Sequence, residues 1–336
     1  MPVAAGIIDL MTPWLPLNKR ERILFCVAFC ISCIFLLVAW QAQMLLSACH
    51  ERYDLINPNA RCISASSNEW AYEPMRQLLL DKINESENDG KVSHVSVYFR
   101  DMKNGSRFGI GEYAGFEPAS LSKVPIMIAI LHGTDQDPTI LDKTLSFSGA
   151  LSIETNTEGS GETILPNTPY TVRELIEKMI VNSDNYSYAL LVGELNSMMK
   201  LEAAHTFNDL DILNMMVAKE TDYVSIESYA NLFAVLYNAG YLSDTSSQYA
   251  LDLLSKTTFK DGLAAGVPSG IRVAHKYGHK ILPDADQLHD CGLVYQPKAT
   301  YLLCIMTSGH SETTEASVIA DLSQAVYGSV TDMYSK

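Results

Sequence analysis

Ser120-Leu-Ser-Lys123 is the stretch whose residue types and spacing can do chemistry. Residues three apart share one face of a helix, so Lys123 falls one turn from the Ser120 hydroxyl. A serine hydroxyl is a poor nucleophile until an adjacent base takes its proton. A lysine can be that base once burial disfavours its charged form. The apolar run Val124 to Leu131 supplies such burial. Ser120 is read as the first residue of a buried helix, where free backbone N–H groups point toward a developing oxyanion. The spacing alone is weak, because Ser197-Met-Met-Lys200 repeats it. For either pair the plain alternative is a helix cap followed by a surface lysine.

Two further stretches carry polar groups in order: Ser183-Asp-Asn185 and Lys276-Tyr-Gly278. Taken singly, Ser-Asp-Asn is a helix stop, since these residues favour caps. Lys-x-Gly also occurs at Lys103-Asn-Gly105 and Lys260-Asp-Gly262. Only Lys276 follows an alternating, strand-like run and precedes two more. His275 and His279 suggest a metal at first sight. Four apart on a strand they stand ~13 Å apart and cannot share an ion. His289-Asp290 reads as structural, because a Ser/Lys site needs no histidine base.

These groups need elements to hold them. Trp70 to Ile83 has helical periodicity with Pro74 in the first turn. Ser93 to Arg100 alternates as a strand, Lys103-Asn-Gly-Ser106 turns, and Arg107 to Gly111 returns. Residues 133–169 are irregular and polar. Thr171-Val-Arg-Glu174 opens a helix to Val181 as a capping box. Helices follow over Tyr186–Leu195, Ser225–Tyr237 and Ser243–Ser255. Ile271–Tyr277 reads as a strand ending at Gly278. Leu288–Tyr295 and Thr300–Thr307 are two more strands, which sets Cys291 opposite Cys304 as a disulfide or as two packed thiols. Thr313 to Tyr327 closes as a helix. The expected fold is α+β: one antiparallel sheet packed with helices, plus an all-helical insert between its strands.

The chain has 336 residues and a net charge of −15, which argues against a nucleic-acid partner. Ile23 to Trp40 is uncharged and apolar, and Gln41 to Ala48 extends it without a charge. We expect a transmembrane anchor over residues 23–46. Lys19-Arg20-Glu21-Arg22 precedes it, so residues 1–22 are expected in the cytoplasm and the rest outside, in a single-pass cell-membrane protein. Residues 47–67 then form a linker and 68–330 a catalytic domain. The alternative is a signal peptide, with Leu46-Ser-Ala-Cys49 as a lipobox and a lipid on Cys49. Under the anchor reading Cys49 can pair with Cys62.

The three motifs, in this order and on these elements, resemble the serine β-lactamase and penicillin-binding protein superfamily, and most closely its class A β-lactamase-like domains. The resemblance covers roughly residues 68–330. It implies Ser120 as nucleophile, Lys123 as its base and Ser183 as proton relay to the leaving nitrogen. It implies Asn185 on the substrate amide and Lys276 as positive charge near Ser183 and the substrate carboxylate. The backbone N–H groups of Ser120 and His279 would form the oxyanion hole, with Tyr277 and Gly278 beside the substrate. No metal or cofactor is implied. The expected activity is acyl-serine hydrolysis of β-lactams. The alternatives are a D,D-peptidase acting on D-Ala-D-Ala peptidoglycan peptides and a non-catalytic cell-wall-binding protein. Two departures bear on this. Tyr277 stands where the family has Thr or Ser. Leu210 stands where class A enzymes place the glutamate that activates the deacylating water, a few residues before Leu213-Asn214. Glu220 is the candidate to replace it.

Overall fold

The computed structural model describes residues 20–21, 24, 27–29, 31–33, 35–36, 55–57, 69–148, 163–195, 206, 209–210 and 224–335. Met1–Arg52 and Tyr53–Lys336 are separate compact units. In the first, every described residue is helical. Among the described residues no helix is long and apolar enough to cross a membrane. Most of the expected anchor 23–46, with Cys49 and Cys62, lies outside them.

The second unit is built on a five-stranded sheet. Its strands are β1 (Val92–Asp101), β2 (Arg107–Ile110), β3 (Val273–Ile281), β4 (Asp286–Val294) and β5 (Tyr301–Gly309). The order across the sheet is β2-β1-β5-β4-β3, with every pair antiparallel. Val97 and Phe99 point to one face and Tyr98 to the other, as the two-residue period of a strand requires.

The first face is covered by α1 (Glu73–Asn88) and the closing helix α7 (Glu312–Ser335). The second carries the helical insert: α2 (Lys123–Gln136), α3 (Val172–Val181), α4 (Asn185–Glu194), α5 (Ile226–Tyr237) and α6 (Asp244–Ser255). The helix α2 is apolar nearly all round and is buried accordingly.

Several boundaries differ from the sequence reading. The third strand does not stop at Gly278 but runs on to Ile281, pairing Gly278 with His289 and His279 with Leu288. The ladder continues because no bulge interrupts it, and glycine only weakens a strand. The closing helix is longer, to Ser335. Within the expected linker, Leu55 and Ile56 are buried in the main core. Leu55 N donates to Gln248 Oε1 (3.0 Å) and Tyr295 Oη to Leu55 O (2.8 Å). Leu55 and Ile56 are therefore packed into the domain rather than part of a linker.

Two local devices fix the frame. The capping box at α3 forms as its sequence predicts: Glu174 N donates to Thr171 Oγ1 (3.2 Å) and Thr171 N to Glu174 Oε2 (2.7 Å). At the hairpin end, buried Asp101 gathers both ends of the domain. Tyr72 Oη and Tyr334 Oη each donate to Asp101 Oδ2 at 2.5 Å, and the hairpin amides of Lys103 and Asn104 donate to Oδ1. Cys291 and Cys304 are paired in register on β4 and β5, and their sulfurs are bonded.

Candidate active site

Ser120 lies in a single 3₁₀ turn, Ala119–Ser122, that runs into α2, rather than on the first residue of the α-helix itself. Lys123 is the first residue of α2 and is 1% exposed. Its Nζ lies 2.9 Å from Ser120 Oγ, 3.1 Å from Ser183 Oγ, 2.6 Å from Asn185 Oδ1 and 2.5 Å from the carbonyl oxygen of Ser183. An ammonium has three protons and no lone pair, whereas a neutral amine can accept one. Burial pushes the Lys123 pKa down to about 7, against a smaller upward pull from Asp184. Near neutral pH the amine can therefore take a proton from the Ser120 hydroxyl.

Ser183 arrives from the connection between α3 and α4, and Asn185 is the first residue of α4. Asp184 between them caps α4, accepting from Ser187 N at 2.9 Å and from Thr163 Oγ1 at 2.7 Å. Ser183 adopts φ 57°, and Ala119, immediately before Ser120, adopts φ 47°. Left-handed backbone is unfavourable for residues other than glycine and is concentrated at functional sites. The Lys123 hydrogen bond to Ser183 O is one of the contacts that holds this conformation.

Lys276 comes from the edge strand β3 and is fully buried. Its Nζ donates to Ser183 Oγ (2.9 Å) and to Tyr277 O (2.8 Å). Burial and the charge of Lys123 hold its pKa well below the usual lysine value, with Asp290 pulling the other way. Gly278 is where β3 passes the turn that carries Ser120. A Cβ there would meet Pro118 O at 3.0 Å and Leu121 Cγ at 3.1 Å.

Tyr277 and His279 flank Gly278 on β3, and the backbone role expected of His279 does not depend on its ring. Tyr277 was expected at the substrate, but it is 4% exposed and stacked on Phe259, ring centroids 4.2 Å apart. The His279 ring is also nearly buried and faces α7, where Glu312 Oε2 is 3.7 Å away. A strand alternates its side chains, so 277 and 279 leave β3 on the face opposite Lys276, although the long Lys276 side chain brings its Nζ within 4.3 Å of the Tyr277 ring centroid. His275 Nδ1 pairs with Asp290 Oδ1 at 2.8 Å, both fully buried. The two histidines thus have separate acidic partners, and no metal-binding cluster occurs among the described residues. Ser197, Lys200, Asn214 and Glu220 lie outside the described residues.

His289 is structural, as the sequence reading has it, and it joins Gln287 and Tyr229, which sequence reasoning missed, in holding the turn that carries Ser120. Gln287 Oε1 accepts from Glu117 N (3.0 Å), and His289 Nε2 lies 3.0 Å from Glu117 O. Burial pushes the His289 pKa down to about 4, so its ring is neutral and Nε2 carries the donated proton. Tyr229 Oη donates to Leu121 O (3.2 Å). No local pattern marks these side chains, which meet the turn only through the tertiary fold.

The geometry can be set beside known proteins. The family model described as "Beta-lactamase enzyme family" matches residues 78–330. The chain belongs to this beta-lactamase enzyme family. Solved structures share the fold at low identity. "Structure of PBP-A" aligns at TM-score 0.63 and 21% identity, over 80% of this chain and 99% of that one. A leucine-to-glutamate mutant of PBP-A, an acyl-enzyme complex with penicillin G, aligns at TM-score 0.63 and 23% identity, over 76% and 97%. A beta-lactamase from Chitinophaga pinensis aligns at TM-score 0.62 and 20% identity, over 75% and 99%. A search of curated protein sequences gave no significant match. Membership in the beta-lactamase family accounts for the order of the three motifs along the chain.

Proposed function

We propose that this member of the beta-lactamase family is an acyl-serine hydrolase acting on β-lactam amides, with Ser120 as its nucleophile. The observation that carries the reading is the convergence of Ser120, Lys123, Ser183, Asn185 and Lys276 on one buried amine and one hydroxyl. Neutral Lys123 takes the Ser120 proton as Oγ attacks the amide carbonyl. The C–N bond then breaks, and the proton passes through Ser183 Oγ to the leaving nitrogen. Lys276 holds Ser183 in place and supplies positive charge beside the substrate carboxylate. Asn185 receives the substrate's side-chain amide. The backbone N–H groups of Ser120 and His279 bind the oxyanion. Water finally cleaves the acyl-serine ester.

One observation favours a second reading, a penicillin-binding D,D-peptidase that deacylates β-lactams slowly. Leu210, at the position of the class A deacylating glutamate, packs its side chain against the helical core. A leucine cannot activate water. Under this reading the natural substrate is a D-Ala-D-Ala-type peptidoglycan peptide. Glu220 is the remaining candidate acid.

Both readings place the domain outside the cytoplasm on an N-terminal anchor. The uncharged run from Ile23, the basic cluster before it and the Cys291–Cys304 bond support this.

The test is intact-mass spectrometry of the protein mixed with a penicillin and followed over time. A transient or lasting adduct that is lost in Ser120→Ala supports the acyl-serine mechanism. Rapid hydrolysis favours the first reading and a persistent adduct the second. An adduct that survives in Ser120→Ala would sink both.

A further inference from the structure

The motif residue Tyr277 has a side chain that the proposed chemistry leaves unused. A Thr or Ser at this place would offer a short hydroxyl. Here the hydroxyl stands on a ring, and the ring lies within the protein. Its centroid is 4.3 Å from Lys276 Nζ, and the ring is stacked on Phe259 with an interplanar angle of 17°. A cation over an aromatic face is attracted by the ring quadrupole, more strongly when both are desolvated. Lys276 is fully buried, and its two hydrogen-bond acceptors are a hydroxyl and a carbonyl, both neutral.

We propose that Tyr277 is a positioning residue: its ring, braced by Phe259, is the cation–π support that keeps Lys276 charged and aimed at Ser183. The inference rests on the reading of Lys276 as a member of the active site. The charged groups acting on Lys276 are Lys123 from α2, which repels it, and Asp290 from β4, which attracts it. The ring adds to Asp290 without adding a negative charge that would compete for Ser183 Oγ. It follows that the hydroxyl of Tyr277 is dispensable for this role while the aromatic face is not.

The experiment titrates Lys276 in the full chain by carbon-13 NMR of labelled lysine, with its signal assigned by loss in Lys276→Arg. Tyr277→Phe should leave the titration at the wild-type pH. Tyr277→Met, which fills a similar volume, should move it about one pH unit lower. If the methionine variant fails to fold, phenylalanines of increasing fluorination at 277 keep the shape and weaken the quadrupole stepwise. The titration should then step down with each fluorine, which a purely structural role would not produce. An unmoved titration in Tyr277→Met or across the fluorinated series overturns the inference. So does a Tyr277→Phe titration displaced as far as that of Tyr277→Met. The readout does not depend on turnover. Failure of the wild-type protein to form a penicillin adduct would count against the proposed function and leave this result standing.

Discussion

Lys123 and Lys276 converge on one oxygen: Ser183 Oγ lies 3.1 Å from the first amine and 2.9 Å from the second. Two ammonium ions on one buried hydroxyl repel each other, so the pair stays close only if it holds fewer than two positive charges. Burial is the largest cause lowering both pKa values, and Lys123 further lowers that of Lys276. The pair therefore titrates as a unit. The proposed mechanism uses the singly charged form with a neutral Lys123 and a charged Lys276.

The first prediction is a bell-shaped pH dependence of acylation. The rate with a penicillin should rise through about pH 7 as Lys123 loses its proton. It should fall at higher pH as Lys276 loses its own. Adduct formation timed between about pH 5 and about pH 10 measures both limbs. A rate that is flat through neutrality would remove Lys123 as the base.

Gly278→Ala should impair the site while sparing the fold. The added methyl would press on Pro118 O at 3.0 Å and Leu121 Cγ at 3.1 Å, pushing β3 and the turn that carries Ser120 apart by a fraction of an ångström. A misplacement of about 1 Å costs on the order of 10²-fold in rate, so a smaller shift should cost roughly tenfold. Thermal melting should stay near wild type while acylation slows by that factor. Wild-type acylation would show that the close approach has no role.

Leu210→Glu should shorten the life of a penicillin adduct. A carboxylate there supplies the general base that leucine lacks, worth about 10²-fold or more in deacylation. The variant should also lose some stability, because Leu210 packs on the helical core. Adduct decay followed by mass spectrometry decides it. Unchanged decay would mean that the position does not face the acyl ester.

Asp101→Ala should destabilise the domain by about 3 kcal/mol with no change in acylation. It leaves the hydroxyls of Tyr72 and Tyr334 and the amides of Lys103 and Asn104 without their shared acceptor. Chemical denaturation measures the loss. A change below about 0.5 kcal/mol would mean that the cluster contributes little.

Glu315 predicts a pH dependence of stability. It is fully buried, and burial pushes its pKa up from the ordinary 4.5 to about 7, with Asp286 adding to the shift. Between those values the folded state holds a proton that the unfolded state has released. Stability from this group is complete below about 4.5 and falls as pH rises through about 7. Glu315→Gln should therefore melt at a higher temperature than wild type at pH ~8, by about 1–2 kcal/mol of stability, and near wild type at pH ~5. Equal melting differences at both pH values would contradict this assignment.

Much of the scaffold was readable because it rests on local rules. The alternation in 93–100, the turn at Lys103–Ser106 and the capping box at Thr171 each name their own structure. Counting back from the turn at Gln296–Ala299 put Cys291 opposite Cys304, as observed. The motifs supplied Ser120, Lys123, Ser183, Asn185 and Lys276, and the fold brings these five together. The direction of Tyr277 and His279 was not readable from the motif alone, because it depends on which face of an edge strand each residue takes. The long-range supports Gln287, Tyr229 and Phe259 carry no local signal. Tyr229, for example, reaches Leu121 across 108 residues.

The cluster at Asp101 has a topological consequence. Tyr72 stands just before α1 and Tyr334 near the end of α7, yet both donate to the same carboxylate oxygen. The run from Tyr72 to Tyr334 is thus almost a closed ring, fastened at the β1 end of the sheet. A short peptide could join the two ends of this run, and new termini could be opened in a surface connection instead. Circular permutants of this run, with the segment around Leu55 kept as an extension, should fold, since ends that already touch need no new path to meet.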